Sequence, residues 1–273
     1  MLYMEKTKLY RVRDGIVQML SSGLIFTNRK TDFCVELNIC SLMKQVNEGG
    51  KISFKTPKCK SCYAAPVLSV YTNLRDKVLS IPKEKEGLLE SFKQDLQKLK
   101  ALCEVSDLGP LTRLRFYGLT DFAPDNIPFI LAAAEVFTVD LISKSLAMKH
   151  NEDYLKALIN HPNVWISLSF NKDFQKDLPR IEQLLLETKA NNVQLNYCLH
   201  TKEENPVDPW YDRFQVIHQR DLNKWNAVSK GVSPSRVCGL YDRNGKELEA
   251  QEKGAHCRNC SNCHRSYVEA MTG

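Results

Sequence analysis

Hydrophobic positions follow a helical period in some segments of this chain and a strand-like run in others. Leucine and phenylalanine recur at steps of three and four between residues 88 and 99, which is typical of a helix with one buried face. Short apolar runs bounded by Gly, Pro, Asn or Asp indicate buried strands. The predicted helices lie at 88–99, 127–134, 152–160 and 179–189, and the predicted strands at 111–117, 139–142, 164–170, 193–199 and 213–217. Shorter strands are expected at 24–26, 33–37 and 51–54.

Strands and helices therefore alternate four or five times, and this order predicts an α/β fold with parallel strands. An open doubly wound sheet and a barrel both fit the alternation. No glycine-rich dinucleotide fingerprint follows any predicted strand, which disfavours a nucleotide-binding doubly wound sheet. We therefore expect a complete or partial (β/α) barrel, an architecture for which 273 residues suffice.

Three segments are expected from the change of pattern along the chain. Residues 1–80 form an irregular N-terminal segment that carries a Cys-x-x-Cys pair. Residues 81–230 form the barrel-like core. Residues 231–273 lose hydrophobic periodicity and are predicted to be a cysteine-rich metal-binding tail.

Composition and charge restrict the setting of the protein. The hydrophobic fraction of 43% and the charged fraction of 26% are those of a globular chain. No apolar run approaches the roughly 20 residues that span a bilayer, and no signal peptide is recognised, so we expect a cytoplasmic protein without a membrane partner. The formal charge of +6 permits a nucleic-acid partner without requiring one. The sequence does not specify an oligomeric state.

The cysteines are the unusual feature of the composition. The chain has 10 of them, and a reducing cytoplasm argues against disulfides. Cys257, Cys260, Cys263 and His264 form a Cys-x-x-Cys-x-x-Cys-His run, in which a thiolate every third residue lets one loop wrap an ion or a cluster. The segment has few apolar residues that could bury free thiols, so we predict a metal centre here.

The identity of the metal stays open at the level of sequence. Cys238 or His264 could add a fourth ligand to the three thiolates and complete a tetrahedral zinc site. Cysteines at three-residue steps also hold 4Fe–4S clusters, and zinc sites more often use pairs, so an iron–sulfur cluster is favoured over zinc. Cys59 and Cys62 form a second, isolated pair, which either joins these ligands or forms its own site.

Several short motifs resemble a phage-encoded family known by the gene-product number eighty-eight, and a sister group of radical-SAM-like barrel proteins. The motifs are Cys59-Lys-Ser-Cys62-Tyr63-Ala64, Leu114-Arg115-Phe-Tyr-Gly118-Leu-Thr-Asp121-Phe122, His161-Pro-Asn-Val-Trp165, and Cys238 followed by the closing cysteines. The resemblance implies a barrel with a thiolate-bound cluster, a host cytoplasm as its location, and S-adenosylmethionine as a further cofactor. The chain lacks the early Cys-x-x-x-Cys-x-x-Cys loop of true radical enzymes.

Candidate catalytic and binding residues follow predicted strands, because barrel active sites gather at the carboxyl ends of strands. Asp121 directly follows one strand and Asp125 lies one helical turn later, so the two carboxylates are candidates for base and nucleophile. The alternatives are that Asp121 binds a loop amide and that Asp125 caps a helix. Lys144, Ser169 and Asn171, at later strand ends, are candidates for cofactor or phosphate binding.

These features together predict a metal-cluster-bearing β/α-barrel enzyme that modifies a nucleic-acid base. One version uses radical or redox chemistry. The other is base exchange, as in the transglycosylases, which are β/α barrels with a zinc held by three cysteines and a histidine and which this chain resembles in its C-terminal ligands. The alternative is a non-catalytic phage protein whose metal stabilises a surface that binds nucleic acid or protein.

Overall fold

The computed structural model describes residues 2–28, 32–37, 40, 43–49, 51–56, 64–80, 86–199, 209–219 and 264–272. The chain divides into two compact units, and the division falls between Asp140 and Leu141. No helix within the described residues is both long enough and apolar enough to cross a membrane.

The described secondary structure comprises strands and helices in alternation. The strands are β1 (Ile25–Asn28), β2 (Asp32–Val35), β3 (Lys44–Glu48), β4 (Lys51–Lys55), β5 (Arg113–Phe116), β6 (Thr138–Ser143), β7 (Val164–Phe170), β8 (Val193–Leu199) and β9 (Val216–Gln219). The helices are α1 (Leu2–Gln18), α2 (Ala64–Val70), α3 (Thr72–Leu79), α4 (Leu88–Glu104), α5 (Ile127–Ala134), α6 (Glu152–Leu158), α7 (Leu178–Glu187) and α8 (Tyr267–Thr272).

Seven of the strands form one sheet in the order β1-β2-β5-β6-β7-β8-β9, and β3 and β4 form a separate hairpin. β1 and β2 are antiparallel, whereas β2–β5, β7–β8 and β8–β9 pair in parallel. The predicted α/β class with a mostly parallel sheet is therefore confirmed. Closure into a barrel is not shown, because β1 and β9 are not neighbours in the strand order of the described residues.

The segment before residue 80, which was predicted to be irregular, contains helices α1, α2 and α3 among its described residues. Among the described side chains of α1, the buried ones are Ile16 and the charged Arg13, so the helix gives no clear periodic signal in the sequence. Nη1 of Arg13 pairs with Oδ1 of Asp32 at 2.9 Å. The position of α1 against β2 thus depends on a partner that is distant in sequence.

The core of the first unit is formed by the helix that the sequence predicts most clearly. α4 buries Phe92, Leu96 and Leu99 completely, in agreement with their helical spacing. Asp95 lies on the same buried face and accepts hydrogen bonds from the backbone N–H groups of Ser21 and Ser22, at 2.9 and 2.7 Å. The carboxylate therefore satisfies the backbone of the turn that follows α1.

The core of the second unit contains β7 and β8, whose bounds coincide with the predicted runs 164–170 and 193–199. One face of these strands is apolar: Leu168 and Leu195 pair in register and are fully buried. The other face is polar, because Ser167 pairs with Gln194 and Ser169 pairs with Asn196. A polar row that is buried inside a parallel sheet is unusual, since such strands are ordinarily apolar on both faces.

Candidate active site and metal ligands

A buried carboxylate, Glu36, lies directly after β2 and organises the loop that follows β5. Its side chain is only 1% exposed. Oε1 accepts a hydrogen bond from the N–H of Leu119 at 2.9 Å, and Oε2 accepts from the N–H and the hydroxyl of Thr120 at 3.1 and 2.5 Å. Sγ of Cys34 also donates to Oε1, at 3.5 Å. Glu36 therefore fixes residues 119 and 120, which immediately precede Asp121.

Burial dominates the ionisation of this cluster. The pKa of Glu36 is raised because burial penalises its charged form more than the hydrogen bonds from Thr120, Leu119 and Cys34 stabilise it. The pKa of the Cys34 thiol is raised well above its usual range by burial first and by the adjacent Glu36 second. Cys34 is thus held as a thiol and has the properties of a core residue rather than of a nucleophile.

Tyr117, directly after β5, has a backbone conformation that non-glycine residues rarely adopt. Its φ is 66°, and a bulky side chain in the left-handed region stores strain that the surroundings must hold. The N–H of Tyr117 donates to the carbonyl of Val35 at 3.1 Å, and its hydroxyl donates to Oδ1 of Asn126 at 2.9 Å. The same oxygen of Asn126 accepts from the N–H of Ala123 at 2.8 Å. Strain of this kind at a strand end is a mark of functional sites.

Asp121, which was expected directly after a strand, lies in the loop that follows β5, five residues after the last strand residue, Phe116, and is only 6% exposed. Oδ1 accepts from the N–H of Phe122 at 2.7 Å, so the loop-amide contact that was considered as an alternative is present. The charge of Asp121, after burial, raises the pKa of the Tyr117 hydroxyl, with a smaller effect from Glu36. Asp125 is exposed in the short 3₁₀ helix Pro124–Asn126. The two predicted catalytic carboxylates therefore differ in exposure: Asp121 is buried and Asp125 faces solvent.

The predicted binding residues of the second unit occupy the carboxyl ends of β6 and β7. Lys144 directly follows β6 and is partly buried, and Asn171 directly follows β7 and is almost fully buried. Ser169 lies within β7, buried, in register with Asn196 of β8. Because β7 and β8 are parallel, these polar groups lie on the side of the sheet where β/α enzymes place their sites.

Most of the predicted metal ligands lie outside the described residues: Cys59, Cys62, Cys238, Cys257, Cys260 and Cys263. Within the described ranges, no group of three or more His, Cys, Asp or Glu side chains is arranged to hold a metal ion. His264 is described, and its ring stacks on Trp165 with the centroids 4.6 Å apart and the planes 3° apart. An imidazole binds a metal ion through a ring nitrogen in the plane of the ring, so stacking on Trp165 is compatible with metal ligation by His264.

Hydrogen bonds tie the chain after His264 to the amino-terminal side of β8. The hydroxyl of Ser266 donates to the carbonyl of Ala190 at 2.8 Å. The hydroxyl of Tyr267 donates to Oε1 of Glu182 at 2.9 Å, and the same carboxylate pairs with Arg213. Burial and the hydrogen bond to Glu182 raise the pKa of Tyr267. The end of the Cys-x-x-Cys-x-x-Cys-His run is therefore positioned at the edge opposite to Asn171.

Sequence reasoning missed Glu36, Gln194 and Asn196. Each lies in a short apolar stretch, where a single polar residue is ordinarily assigned to the solvent-facing side of a strand. An acid or amide within an otherwise hydrophobic strand was the available signal. Its burial could not be inferred without the neighbouring strands.

Comparison with known proteins gives no relative. No protein-family model matches the chain, and no curated protein and no solved structure shows significant similarity to it. The functional argument therefore depends on the residues themselves.

Proposed function

We propose that this chain is a cytoplasmic, metal-bearing β/α enzyme that modifies a nucleic-acid base. The observation that carries the proposal is the environment of Asp121. This carboxyl group is buried, lies in the loop that follows a strand of a mostly parallel sheet, and comes four residues after a tyrosine with a strained backbone. The loops after the strands of β/α barrels are where catalytic side chains gather.

The order of the strands supports a partial barrel as the scaffold. The strands from β5 to β9 follow one another in the sheet without a reversal. A doubly wound sheet reverses its order at a switch point, whereas a barrel adds successive strands on one side. The consecutive order therefore favours the barrel-type arrangement that the phage-family resemblance implies.

The residues of the first unit suggest a division of roles. In the base-exchange version, Asp121 either takes a proton from the incoming base, or attacks the sugar carbon while the original base leaves with the electrons of the glycosidic bond, after which the incoming base displaces the carboxylate. Glu36 is a positioning residue, because its oxygens already accept hydrogen bonds from Leu119 and Thr120 of the loop. Burial also raises the pKa of Glu36. Asn126 holds the hydroxyl of Tyr117 and so maintains the strained backbone.

The proposed metal centre uses Cys257, Cys260 and Cys263 with Cys238 or His264. Three thiolates and one further thiolate or imidazole suit either an iron–sulfur cluster or zinc. A cluster would supply redox chemistry, with S-adenosylmethionine as the co-reactant that the resemblance implies, whereas zinc would stabilise the fold. The stacking of His264 on Trp165, near the start of β7, favours a structural role, because barrel chemistry occurs at the opposite ends of the strands.

A pair of matched variants tests the catalytic assignment. Asp121→Asn keeps an oxygen that can accept from the N–H of Phe122, so we expect the fold to remain while the chemistry is lost. Asp107→Asn is the control, because Asp107 is a surface acid that pairs only loosely with Lys8 at 3.6 Å. Anaerobically purified full-length protein is incubated with DNA and with tRNA, in one series with S-adenosylmethionine and dithionite as the reductant and in another with free nucleobases. The digested nucleosides are compared by mass spectrometry.

The expected result is a modified nucleoside with the wild type and with Asp107→Asn, and none with Asp121→Asn. Binding to the same nucleic acids, measured by mobility shift, should persist in all three proteins. Binding without any modified nucleoside in the wild type would contradict the enzyme and support the non-catalytic binding protein.

A further inference from the structure

Two amide side chains in β8 are buried without hydrogen bonds. Gln194 and Asn196 are both 0% exposed. The amide nitrogen and oxygen of each have no hydrogen-bond partner within the described part of the chain. The two residues are separated by one position, so both side chains lie on the polar face of the strand.

Other buried amides of the same unit have partners. Oδ1 of Asn192 accepts from the N–H of Asn160, and its amino group donates to the carbonyls of Leu158 and Val164. Oε1 of Gln215 accepts from the N–H of Leu195 at 2.9 Å. Asn151 lacks a partner at Oδ1, but its amino group donates to the carbonyl of Ser145 at 2.9 Å. Among the described buried amides of this unit, Gln194 and Asn196 are the ones in which both the nitrogen and the oxygen lack a partner.

Leaving such groups unsatisfied is costly. A buried donor or acceptor without a partner loses its hydrogen bonds to water and gains none in the protein, and proteins bury very few such groups. An apolar residue of the same size would remove that cost, as Leu168 and Leu195 show on the opposite face. The two amides therefore indicate a place where something outside the described chain completes the hydrogen bonds.

The surroundings restrict the chemistry of that ligand. The residues in register with the amides are Ser167 and Ser169 of β7 and, beside Asn196, Val216 of β9. These neighbours carry no charge, and the titratable His218 lies two positions after Val216 on the same face of β9. A phosphate or carboxylate at the two amides would have no cation among their register partners, which is unfavourable for a buried anion. A primary amide offers one acceptor and two donor hydrogens in a plane, the arrangement that pairs with the edge of a nucleobase.

We propose that Gln194 and Asn196 bind the hydrogen-bonding edge of a nucleobase, with Ser167 and Ser169 beside it. This inference rests on the proposed function in one respect: that function is the reason for choosing a nucleobase from among the neutral heterocyclic ligands. The unpaired amides lower the stability of the free protein, and hydrogen bonds to the bound base restore that stability.

Substitutions that remove the amides test the site. Gln194→Met and Asn196→Leu keep the approximate size of the side chain and remove its polar atoms. Gln215→Met is the matched control, because it removes an amide that has a protein partner. Unfolding in urea is measured for each full-length protein, and binding of adenosine, guanosine, cytidine and uridine is measured by calorimetry.

We expect at least one nucleoside to bind the wild type and to bind each of the two β8 variants at least tenfold more weakly. Both variants should be as stable as the free wild type or more stable, whereas Gln215→Met should lose stability. Absence of nucleoside binding to the wild type, or unchanged binding by the variants, would overturn the inference. Destabilisation of the β8 variants similar to that of Gln215→Met would also overturn it, since buried water would then complete the bonds.

Failure of this inference and failure of the proposed function give different results, because nucleoside binding needs neither turnover nor metal. If nucleoside binding depends on the amides but no base is modified, the proposed reaction is refuted and the nucleobase site is supported. If both β8 variants modify bases as the wild type does, the proposed reaction is supported and the nucleobase site is refuted.

Discussion

A β-carbon added to Gly118 would lie 2.5 Å from Oε1 of Glu36. The absence of a side chain at residue 118 is thus what allows the carboxylate to reach the loop after β5. This close approach connects the end of β2 to the segment that carries Asp121.

Gly118→Ala is therefore expected to destabilise the protein. The methyl group would displace the carboxylate from the N–H groups of Leu119 and Thr120 and leave buried polar atoms unpaired, at a cost of about 2–3 kcal/mol. Urea denaturation measures the loss. Gly15→Ala is the control: nothing lies within 4 Å of its β-carbon in helix α1, so alanine should stabilise the helix by roughly 0.5–1 kcal/mol. Equal effects of the two substitutions would contradict the account.

Glu36→Gln is expected to change how stability depends on pH. The folded-state pKa of Glu36 is raised, so its contribution to stability is full below the unfolded value near 4.5 and declines as pH rises through the folded value. Glutamine does not titrate. The free energy of unfolding of the wild type minus that of the variant should therefore fall as pH increases above 4.5, and a rising difference would refute the assignment.

Asn192→Ala should destabilise the second unit by about 2–4 kcal/mol. The side chain bonds the N–H of Asn160 and the carbonyls of Leu158 and Val164, and alanine would leave these backbone groups unpaired beside the start of β7. Asn191→Ala is the neighbouring control, because Asn191 is exposed. Chemical denaturation of both variants should show a large loss for the first and less than about 0.5 kcal/mol for the second.

Metal content provides the test of the cysteine run. We expect anaerobically purified protein to contain bound metal, and serine at Cys257, Cys260 and Cys263 together to abolish it. Cys103→Ala and Cys198→Ala are controls, since both thiols are buried in a helix and a strand. Iron with acid-labile sulfide would identify a cluster, and zinc without sulfide would exclude it. Wild-type protein without either metal would contradict the centre.

The sequence by itself determined the elements whose patterns are local. The helical spacing of Phe92, Leu96 and Leu99 fixed the buried face of α4, and runs in which apolar residues alternate with polar ones fixed both ends of β7 and β8. A repeat at 3.6 or 2 positions is imposed by backbone geometry, so it can be recognised without knowing any neighbour. The spacing of the C-terminal cysteines likewise predicted ligands without a structure.

Only the tertiary structure decided what the polar residues of those elements do. Strand alternation assigns Gln194 and Asn196 to one face, but whether that face meets water or is buried depends on the parts of the chain that pack against it. Glu36 and Gly118 are 82 positions apart, and their contact exists because β2 and β5 are adjacent in the sheet. Burial and hydrogen-bond partners are properties of the assembled sheet, and the energetic cost of an unpaired amide appears only there.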